Sequence, residues 1–277
     1  MNLDYNTLKK NYVDLFENND KCDFVLTDVL FTFSEIYSIV NNNQVNKILE
    51  IGSGTGILLN ELSKIFKDKF FYGLDPHQKG FVNYEKISKK IANNNLSIIH
   101  SEFEKFDHKE KFDLIFSFNV FEHLEDQIMY IKKIDKFLSK GGKSVILCPN
   151  YDFPYEPHFV IPIIYSKDFT YSIFKKKIIK HEEKTGEKGL WKGLNFCSKK
   201  RIEKYLLSFN YQYHFDADIK DRLLQRLDND QSSYFKKRQG IVAKLTSIAK
   251  KIKLDKFIFN FLKIPFPYMK IIIKKNK

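Results

Sequence analysis

The chain has 277 residues, of which 43% are hydrophobic, and it carries 47 basic against 34 acidic side chains. This length and composition predict an ordinary globular protein with one large domain, with or without insertions. Three scattered cysteines, Cys22, Cys148 and Cys197, argue against a disulfide framework and favour a reducing compartment.

Neither a targeting signal nor a metal motif is expected. The first residues lack the basic-then-apolar pattern of a signal peptide, and no run of eighteen apolar residues occurs that would span a membrane. No group of cysteines and histidines has zinc-ligand spacing, so no metal ion is expected. These features predict a cytoplasmic protein.

Positive charge is concentrated in the second half of the chain. Residues 1–170 carry 20 basic and 24 acidic side chains, whereas residues 171–277 carry 27 and 10. Within residues 235–277, 13 basic groups stand against a single acid, Asp255. Such a distribution favours an anionic partner: a phosphate-bearing substrate, an anionic lipid or a nucleic acid.

The first 45 residues predict two helices. Apolar side chains lie near one face of the first helix at Tyr5, Leu8, Tyr12, Leu15 and Phe16. The second helix is indicated by Phe31, Ile36, Ile39 and Val40. A polar connector, residues 41–44, then leads into the first strand.

An apolar run, Ile48–Ile51, breaks into three glycines at alternate positions, 52, 54 and 56. The run predicts a buried parallel strand, and the glycines predict a tight turn at its C-terminal end. Such a turn, opening onto a helix N-terminus, is where α/β folds hold nucleotides. The dinucleotide spacing G-x-G-x-x-G fails, because the third glycine is replaced by Ile57 or Leu59.

A second strand completes a βαβ unit with this turn. Residues 57–66 have apolar side chains at helical spacing, and residues 70–76 form an apolar run that ends in Asp75 and Pro76. An acid about twenty residues beyond the glycines is placed to accept hydrogen bonds from ribose hydroxyls. The alternative role for Asp75 is to cap the following helix.

The alternation of strands and helices continues to residue 150. Residues 96–100 and 111–118 predict the third and fourth strands, and residues 127–138 predict a helix. Residues 144–150 predict a fifth strand after a Gly-Gly turn.

These motifs together resemble the class I S-adenosylmethionine (SAM) methyltransferases. The resemblance rests on E-x-G-x-G-x-G at 50–56, the acid at 75, the turn at 101–103, and an F-D-x-I strand whose following turn ends in E-H-L at 122–124. It covers roughly residues 45–150. It implies SAM as cofactor, S-adenosylhomocysteine (SAH) as product, and N-terminal helices that cover the cofactor cleft.

The resemblance also implies roles for single residues. Asn119 and Val120 would lie along the methionine part of SAM, and Glu122 and His123 would lie near its methyl group. His123 would be either catalytic or a residue that orders the turn through hydrogen bonds. The implied cofactor contacts are Glu50, Gly52, Ser53, Gly54, Thr55, Gly56, Asp75, Pro76, Glu102, Phe103, Asn119 and Val120.

The adenine end of the cofactor site is implied in the same way. Glu102 would accept a hydrogen bond from the exocyclic amine, and Phe103 would cover the ring. Glu104 is close enough in sequence to compete with Glu102 for this role.

A proline-rich loop follows the fifth strand and is the candidate acceptor site. Residues 151–162 hold three prolines among aromatic, acidic and histidine residues, which excludes a regular helix or a central strand. The loop begins at the ligand edge of the sheet. The side chains expected to bind the acceptor are Tyr151, Tyr155 and Glu156. For a hydroxyl acceptor, His158 or His123 is the expected general base. Alternatively, the loop only packs.

The remaining residues predict the rest of the sheet and two insertions. Residues 163–197 extend the loop into a lid, residues 198–207 predict a helix, and residues 211–215 predict the sixth strand. In the resembled family the last strand pairs antiparallel beside the sixth, and residues 268–274 are its candidate here.

A second insertion is expected between the last two strands, over about residues 217–264. Within it, residues 242–262 predict a basic amphipathic helix. This helix either contacts an anionic membrane surface peripherally, at the inner membrane face, or packs on the protein and exposes its lysines to water.

The expected fold class is α/β: a Rossmann-like, doubly wound, seven-stranded and mostly parallel sheet with an antiparallel last strand. The expected units are an N-terminal helical cover (1–45), a SAM-binding core (46–150) and an acceptor loop or lid insertion (151–197). Residues 198–277 form the C-terminal part of the core, with the basic helical insertion.

The expected function is methyl transfer from SAM to a small-molecule acceptor. The P-x-E-P-H loop is similar to that of methyltransferase-like proteins of bacterial surface-polysaccharide pathways, which implies O-methylation of a sugar or of a phosphorylated or nucleotide-linked glycan precursor. One alternative is an RNA methyltransferase, although the N/D-P-P-Y/F signature is missing and arginines are few at residues 235–277. A second alternative is a non-catalytic protein that docks on a membrane or a partner.

Overall fold

The computed structural model of the protein describes residues 2–76, 82–91, 93–209, 211–232, 234–237 and 265–275. Its strands are β1 Lys47–Ile51, β2 Phe70–Leu74, β3 Leu96–Ile99, β4 Phe112–Phe118, β5 Leu138–Pro149, β6 Tyr155–Glu156, β7 Ile161–Pro162, β8 Gln212–Phe215 and β9 Tyr268–Lys274. Its α-helices are α1 Tyr5–Tyr12, α2 Asn19–Val40, α3 Ile57–Ile65, α4 Val82–Ile91, α5 Gln127–Phe137, α6 Lys167–Thr185, α7 Leu190–Gly193, α8 Lys199–Ser208 and α9 Ile219–Asp228. Short 3₁₀ turns lie at Val13–Leu15 and Phe121–His123.

Seven of the described strands form one sheet, in the order β3-β2-β1-β4-β5-β9-β8. The strands from β3 to β5 pair in parallel, whereas β9 pairs antiparallel with both β5 and β8. The central strands are apolar and buried on both faces, as parallel strands between helical layers must be. The predicted fold class is confirmed, and β9 begins and ends where the sequence predicts.

Hydrophobic clusters cover the two faces of this sheet. One cluster joins the N-terminal helices α1 and α2 to α3 and to inward-facing residues of the central strands. The other joins α5 and α8 to the opposite face. Each layer buries its apolar stripe against the sheet, which is the main stabilising contribution in a fold of this kind. None of the helices in the described ranges is long and apolar enough to cross a membrane.

The fifth strand starts earlier than the sequence predicts. It begins at Leu138, which pairs with Phe112, and its register shifts before Leu114 pairs with Lys143. The Gly-Gly pair therefore lies inside the strand as an irregularity, with Gly141 at φ 75°, instead of forming a turn before it. A left-handed glycine lets the strand absorb the extra residues without losing its pairing.

Residues after β5 form a small unit with its own core. The β6–β7 ladder is separate from the main sheet, and α6 and α7 pack beside it. A separate cluster of apolar side chains holds this unit together, with Phe159, Ile161, Ile178, Trp191 and Leu194 buried in it. The expectation of a structured loop extended by an insertion therefore corresponds to a packed unit.

In the C-terminal region, α9 lies inside the range predicted as the second insertion. Its buried residues include Leu224 and Leu227. The predicted basic amphipathic helix, residues 242–262, lies outside the described residues.

A buried ionic network ties the N-terminal cover to the end of the chain. Arg222 of α9 donates to both carboxylate oxygens of Glu35 at 2.6 and 2.9 Å, and also to Asp216 at 2.7 Å. Lys270 of β9 donates to Glu35 at 2.9 Å. The Glu35 and Lys270 side chains are only 1% and 7% exposed, so each charge depends on the other for compensation.

We predict that Glu35→Ala destabilises the protein by up to about 3–5 kcal/mol, because it leaves the buried Lys270 ammonium with only the more distant carboxylate of Asp216, at 3.7 Å, and removes both hydrogen bonds from Arg222 to Glu35. The free energy of unfolding in urea measures the effect. The matched control is Glu17→Ala, which breaks an exposed ion pair with Lys21 near the N-terminus of α2, the helix that carries Glu35. This change is expected to cost less than about 1 kcal/mol. Similar losses in both variants would contradict a structural role for the network.

Candidate active site

The glycine turn at the C-terminal end of β1 is a cradle with a left-handed backbone. Gly52, Gly54 and Gly56 have φ values of 75°, 52° and 74°. The amides of Gly52 and Ser53 both donate to the carbonyl of Leu74, at 2.7 and 3.1 Å, which fastens the turn to the end of β2. Helix α3 begins directly after Gly56, so its free amides point toward the same edge of the sheet.

The cradle meets the turn after β4 at a single close contact. A Cβ atom placed on Gly52 would lie 2.2 Å from Cγ2 of Val120, so no larger residue fits at position 52 unless Val120 moves. The structure thus brings together two residues that the sequence assigns to one cofactor.

Asp75 stands beside this cradle, just beyond β2. Its Oδ2 accepts a hydrogen bond of 2.8 Å from the amide of Gly54, which joins the acid to the glycine turn. Pro76 follows at the same edge.

Glu50 and Asn119 complete the polar lining of the cradle. Glu50 is buried, and its Oε2 has no hydrogen-bond partner among the described residues. Burial, and secondarily the charge of Asp75, raises the pKa of Glu50 well above its usual range. Asn119 has a left-handed backbone, φ 53°, and its Oδ1 accepts a hydrogen bond of 2.9 Å from the hydroxyl of Tyr268.

These features fit SAM. The glycines at 52, 54 and 56 place no side chain between the backbone and a ligand. Asp75 follows them at the spacing in sequence that is typical of ribose recognition. The unpartnered Oε2 of Glu50 is an acceptor that a bound group with N–H or O–H donors would satisfy.

The two residues predicted for the adenine end lie at different depths. The Glu102 side chain is at the surface, where it pairs with Lys105 at 2.6 Å. The Phe103 ring is in the core, 4.9 Å from the Tyr130 ring, and only 4% of the residue is exposed. The contacts of Glu102 and Phe103 with adenine stay predictions.

The acceptor side gathers two acids and two histidines. Glu122 and His123 lie on the 3₁₀ turn after β4, and Glu156 and His158 come from the β6–β7 loop. Oε1 of Glu122 lies 3.9 Å from Nε2 of each histidine. The two imidazole rings meet edge to face, with centroids 5.3 Å apart.

Glu156 holds the acceptor loop together. It is fully buried, and its carboxylate accepts hydrogen bonds from the amide of Phe159 at 2.7 Å and the hydroxyl of Tyr151 at 3.1 Å. Nδ1 of His158 lies 2.6 Å from the same carboxylate. Burial opposes ionisation of Glu156, but His158 and these hydrogen bonds outweigh it and lower its pKa. An ionised Glu156 only accepts, so Nδ1 of His158 carries the hydrogen in this contact.

Glu122 is the least satisfied group in the cluster. It is 0% exposed, and neither of its carboxylate oxygens has a hydrogen-bond partner among the described residues. Burial raises the pKa of Glu122 to about 7, opposed by the charge of His158 and reinforced by that of Glu156. Burial, with the charge of His158, lowers the pKa of His123 below its usual range, so this imidazole is neutral.

Aromatic rings flank the cluster. The rings of Tyr151 and Phe196 stack in parallel, with centroids 4.5 Å apart and planes 5° apart. Tyr155 is half-buried on β6. The three residues predicted to bind the acceptor, Tyr151, Tyr155 and Glu156, are therefore in one unit with His158.

Two residues of the site were not assigned a role from the sequence. Asn195 clamps the turn that carries Glu122: its amide donates to the Glu122 carbonyl at 2.8 Å, and its side chain donates to the carbonyls of Phe121 and Leu124. Tyr268 holds Asn119, as described above. Asn195 and Tyr268 are both far along the chain from the residues that they contact, so no local sequence pattern indicates these roles.

The strand order, the glycine cradle and the acid after β2 define a class I methyltransferase fold with its cofactor site. The chain belongs to the methyltransferase-domain family, whose sequence profile matches residues 23–213. The expectation of a SAM-dependent methyltransferase is thereby confirmed.

Two relatives illustrate the match in sequence. An uncharacterised protein of Mycobacterium tuberculosis is 27% identical over 207 residues, which cover 73% of this chain and 70% of the relative. An uncharacterised methyltransferase of Bacillus cytotoxicus is 32% identical over 125 residues, 44% of this chain and 56% of the relative.

Solved structures share the fold at low sequence identity. The plantazolicin methyltransferase BpumL in complex with SAH has a TM-score of 0.51 and 16% identity, with 98% of this chain and 90% of that one covered. The phosphoethanolamine N-methyltransferase 2 of Haemonchus contortus in complex with SAM has a TM-score of 0.53 and 14% identity, with 99% and 60% covered.

We predict that Gly52→Ala weakens SAH binding at least about tenfold, because the added methyl group collides with Val120 and the left-handed backbone costs about 1–2 kcal/mol. Calorimetric titration with SAH measures the affinity. The control is Gly186→Ala. Gly186 also has a left-handed backbone, φ 79°, but no atom lies within 4 Å of the position that an added Cβ would take. Equal SAH affinities in the two variants would contradict the cradle assignment.

Proposed function

We propose that this enzyme transfers the methyl group of SAM to a hydroxyl oxygen of a small acceptor held against Glu122, His123, His158 and Glu156. The observation that carries the proposal is the Glu156–His158 pair, which presents Nε2 of His158 toward the buried Glu122. The turn bearing Glu122 begins at Val120, which contacts the cofactor cradle at Gly52.

The cofactor end of the site is proposed to work by positioning. When bound, SAM supplies an electrophilic methyl group on a sulfonium. Asp75 would accept hydrogen bonds from the ribose hydroxyls, as it accepts one from Gly54 here. The glycine backbone would pass close to the ligand, and Asn119 and Val120 would line its methionine part. Glu102, Phe103 and Pro76 are the remaining proposed contacts at the adenosine end.

The acceptor end is proposed to remove the hydroxyl proton of the acceptor. The O–H bond breaks, and the proton goes to Nε2 of His158, whose other ring nitrogen is held by Glu156. The carboxylate of Glu122, 3.9 Å away, would stabilise the imidazolium that forms. His123 is proposed to contact the acceptor oxygen as well, and its edge-to-face packing on the His158 ring supports this role.

Charge and aromatic rings suggest the class of acceptor. The stacked pair of Tyr151 and Phe196 provides a flat apolar wall beside the cluster. The excess of basic groups after residue 170 suits an acceptor that carries phosphate. We therefore propose a sugar-type acceptor, phosphorylated or linked to a nucleotide. The named acceptors of the structural relatives differ widely from one another, so the shared fold does not choose between acceptor classes.

We predict that Asp75→Ala weakens SAH binding at least about tenfold, since a charged hydrogen bond to ribose contributes roughly 1.5–3 kcal/mol.

His158→Ala is expected to leave SAH affinity unchanged but to slow methyl transfer about 10²–10⁴-fold. Radiolabelled SAM with UDP-glucose, UDP-N-acetylglucosamine, glucose 1-phosphate and phosphoethanolamine, each offered separately, reports transfer.

The matched control for His158→Ala is His214→Ala, an exposed histidine on β8, which should leave transfer unchanged. Unchanged turnover in His158→Ala would refute the assignment of the acceptor loop. Transfer to phosphoethanolamine but to none of the hydroxyl acceptors would refute the choice of oxygen.

A separate prediction concerns the residue that orients His158. Glu156→Gln is expected to lower kcat about 10–100-fold while the affinity for SAH stays the same, because an amide no longer selects the Nδ1–H tautomer. Steady-state kinetics on the best acceptor measure the change. If kcat is unchanged, Glu156 serves only the folding of the loop.

A further inference from the structure

We propose that Glu122, His123 and His158 form a binding site for a divalent transition metal ion of the zinc type, at the acceptor end of the active site. Binding of the ion follows from the three side chains alone. Its use in catalysis rests on the proposed function.

The geometry brings three ligand atoms to one point. One carboxylate oxygen of Glu122 and one ring nitrogen of each histidine all lie within 4.8 Å of one another. The two Glu122–histidine distances are both 3.9 Å, too long for hydrogen bonds. Ligands about 2.1 Å from a tetrahedral ion lie roughly 3.4 Å apart. Side-chain rotations would have to shorten the two Glu122–histidine distances from 3.9 Å, and the distance between the histidine nitrogens from at most 4.8 Å, to bring all three atoms around an ion.

The donor types suit such an ion. Two imidazoles and one carboxylate are the protein ligands of one class of catalytic zinc site, which keeps its fourth position open for water or substrate. A neutral imidazole of either histidine can offer a ring nitrogen to such an ion. The His123 side chain is 34% exposed, so the cluster is not sealed from solvent.

An outer shell is already in place. A histidine that ligates a metal usually donates its other ring N–H to a carboxylate, and this contact fixes the ring and raises its basicity. Nδ1 of His158 lies 2.6 Å from Glu156, whose carboxylate is in turn held by Phe159 and Tyr151. Asn195 fixes the backbone of the turn that carries Glu122 and His123 through three hydrogen bonds.

The burial of Glu122 is a second, independent observation. A fully buried carboxyl group with no hydrogen-bond partner is costly, and two histidines at 3.9 Å do not satisfy it. A cation bound to the three groups would compensate the buried carboxylate. Among the described residues, neither carboxylate oxygen of Glu122 has a hydrogen-bond partner.

An ion in this position would change the role of His158. Its Nε2 lone pair would become a ligand, and the ion would polarise the acceptor hydroxyl directly. The O–H bond of the acceptor would still break, but the proton would pass to solvent water instead of the imidazole.

The first test uses the full-length protein after dialysis against EDTA. Titration with Co²⁺, followed by its visible absorption, and calorimetry with Zn²⁺ should each show one equivalent bound with a micromolar or tighter Kd. Glu122→Gln and His158→Gln are each expected to weaken binding at least tenfold, and Glu156→Gln by about 10–100-fold. His214→Gln on β8 is the control and should bind like the wild type.

Retention of SAH affinity in each variant shows that it folds. Absence of stoichiometric Zn²⁺ and Co²⁺ binding by the wild type would overturn the proposal, as would unchanged affinity in both Glu122→Gln and His158→Gln.

The second test separates this site from the proposed function. If the metal ion takes part in methyl transfer, EDTA treatment abolishes turnover, and addition of Zn²⁺ or Co²⁺ restores it. If the metal-free enzyme retains full turnover while His158→Ala is inactive, the catalytic use of the metal is refuted and His158 remains the base. If His158→Ala also retains turnover, the proposed acceptor site fails as well.

Discussion

The active site depends on the contact between the α-carbon of Gly52 and the side chain of Val120. A Cβ atom on Gly52 would lie 2.2 Å from Cγ2 of Val120, so the Val120 side chain packs directly against the backbone of the glycine turn. Gly52 follows β1 and Val120 follows β4, and these strands are neighbours in the sheet. The spacing between the cofactor cradle and the acidic turn at Glu122 is therefore set by the pairing of these two strands. Such fixed spacing is what a transfer reaction between two bound molecules requires.

The unit inserted after β5 supplies chemistry that the sheet does not have. Its own small core, around Phe159 and Trp191, keeps the β6–β7 loop in one conformation. Asn195 then fastens this unit to the backbone of the turn after β4. The distance between His158 and Glu122 thus depends on how this unit packs against the turn after β4.

Much of the cofactor site could be predicted from the sequence, because its signals are local. A glycine turn needs glycines at three alternate positions, and the acid after β2 follows at a regular distance within one βαβ unit. The strands are apolar runs with clear ends, and β9 has the predicted bounds. The errors arose where local pattern is ambiguous. The Gly-Gly pair near 141 looks the same in a turn as in an irregular strand, so the fifth strand was predicted to begin too late.

The sequence by itself determined the fold class, the cofactor and most of the residues around the glycine cradle, since these follow from short-range spacing and alternation of apolar residues. Only the tertiary structure decided the acceptor side. Glu122 and His123 are about 35 residues from His158 along the chain, and Asn195 is further still. They meet because parallel strands bring their C-terminal ends to one edge and because the insertion folds back over that edge. Side chains that converge in this way leave no spacing to recognise, so the possibility of a metal ion between them became visible only when their distances were known.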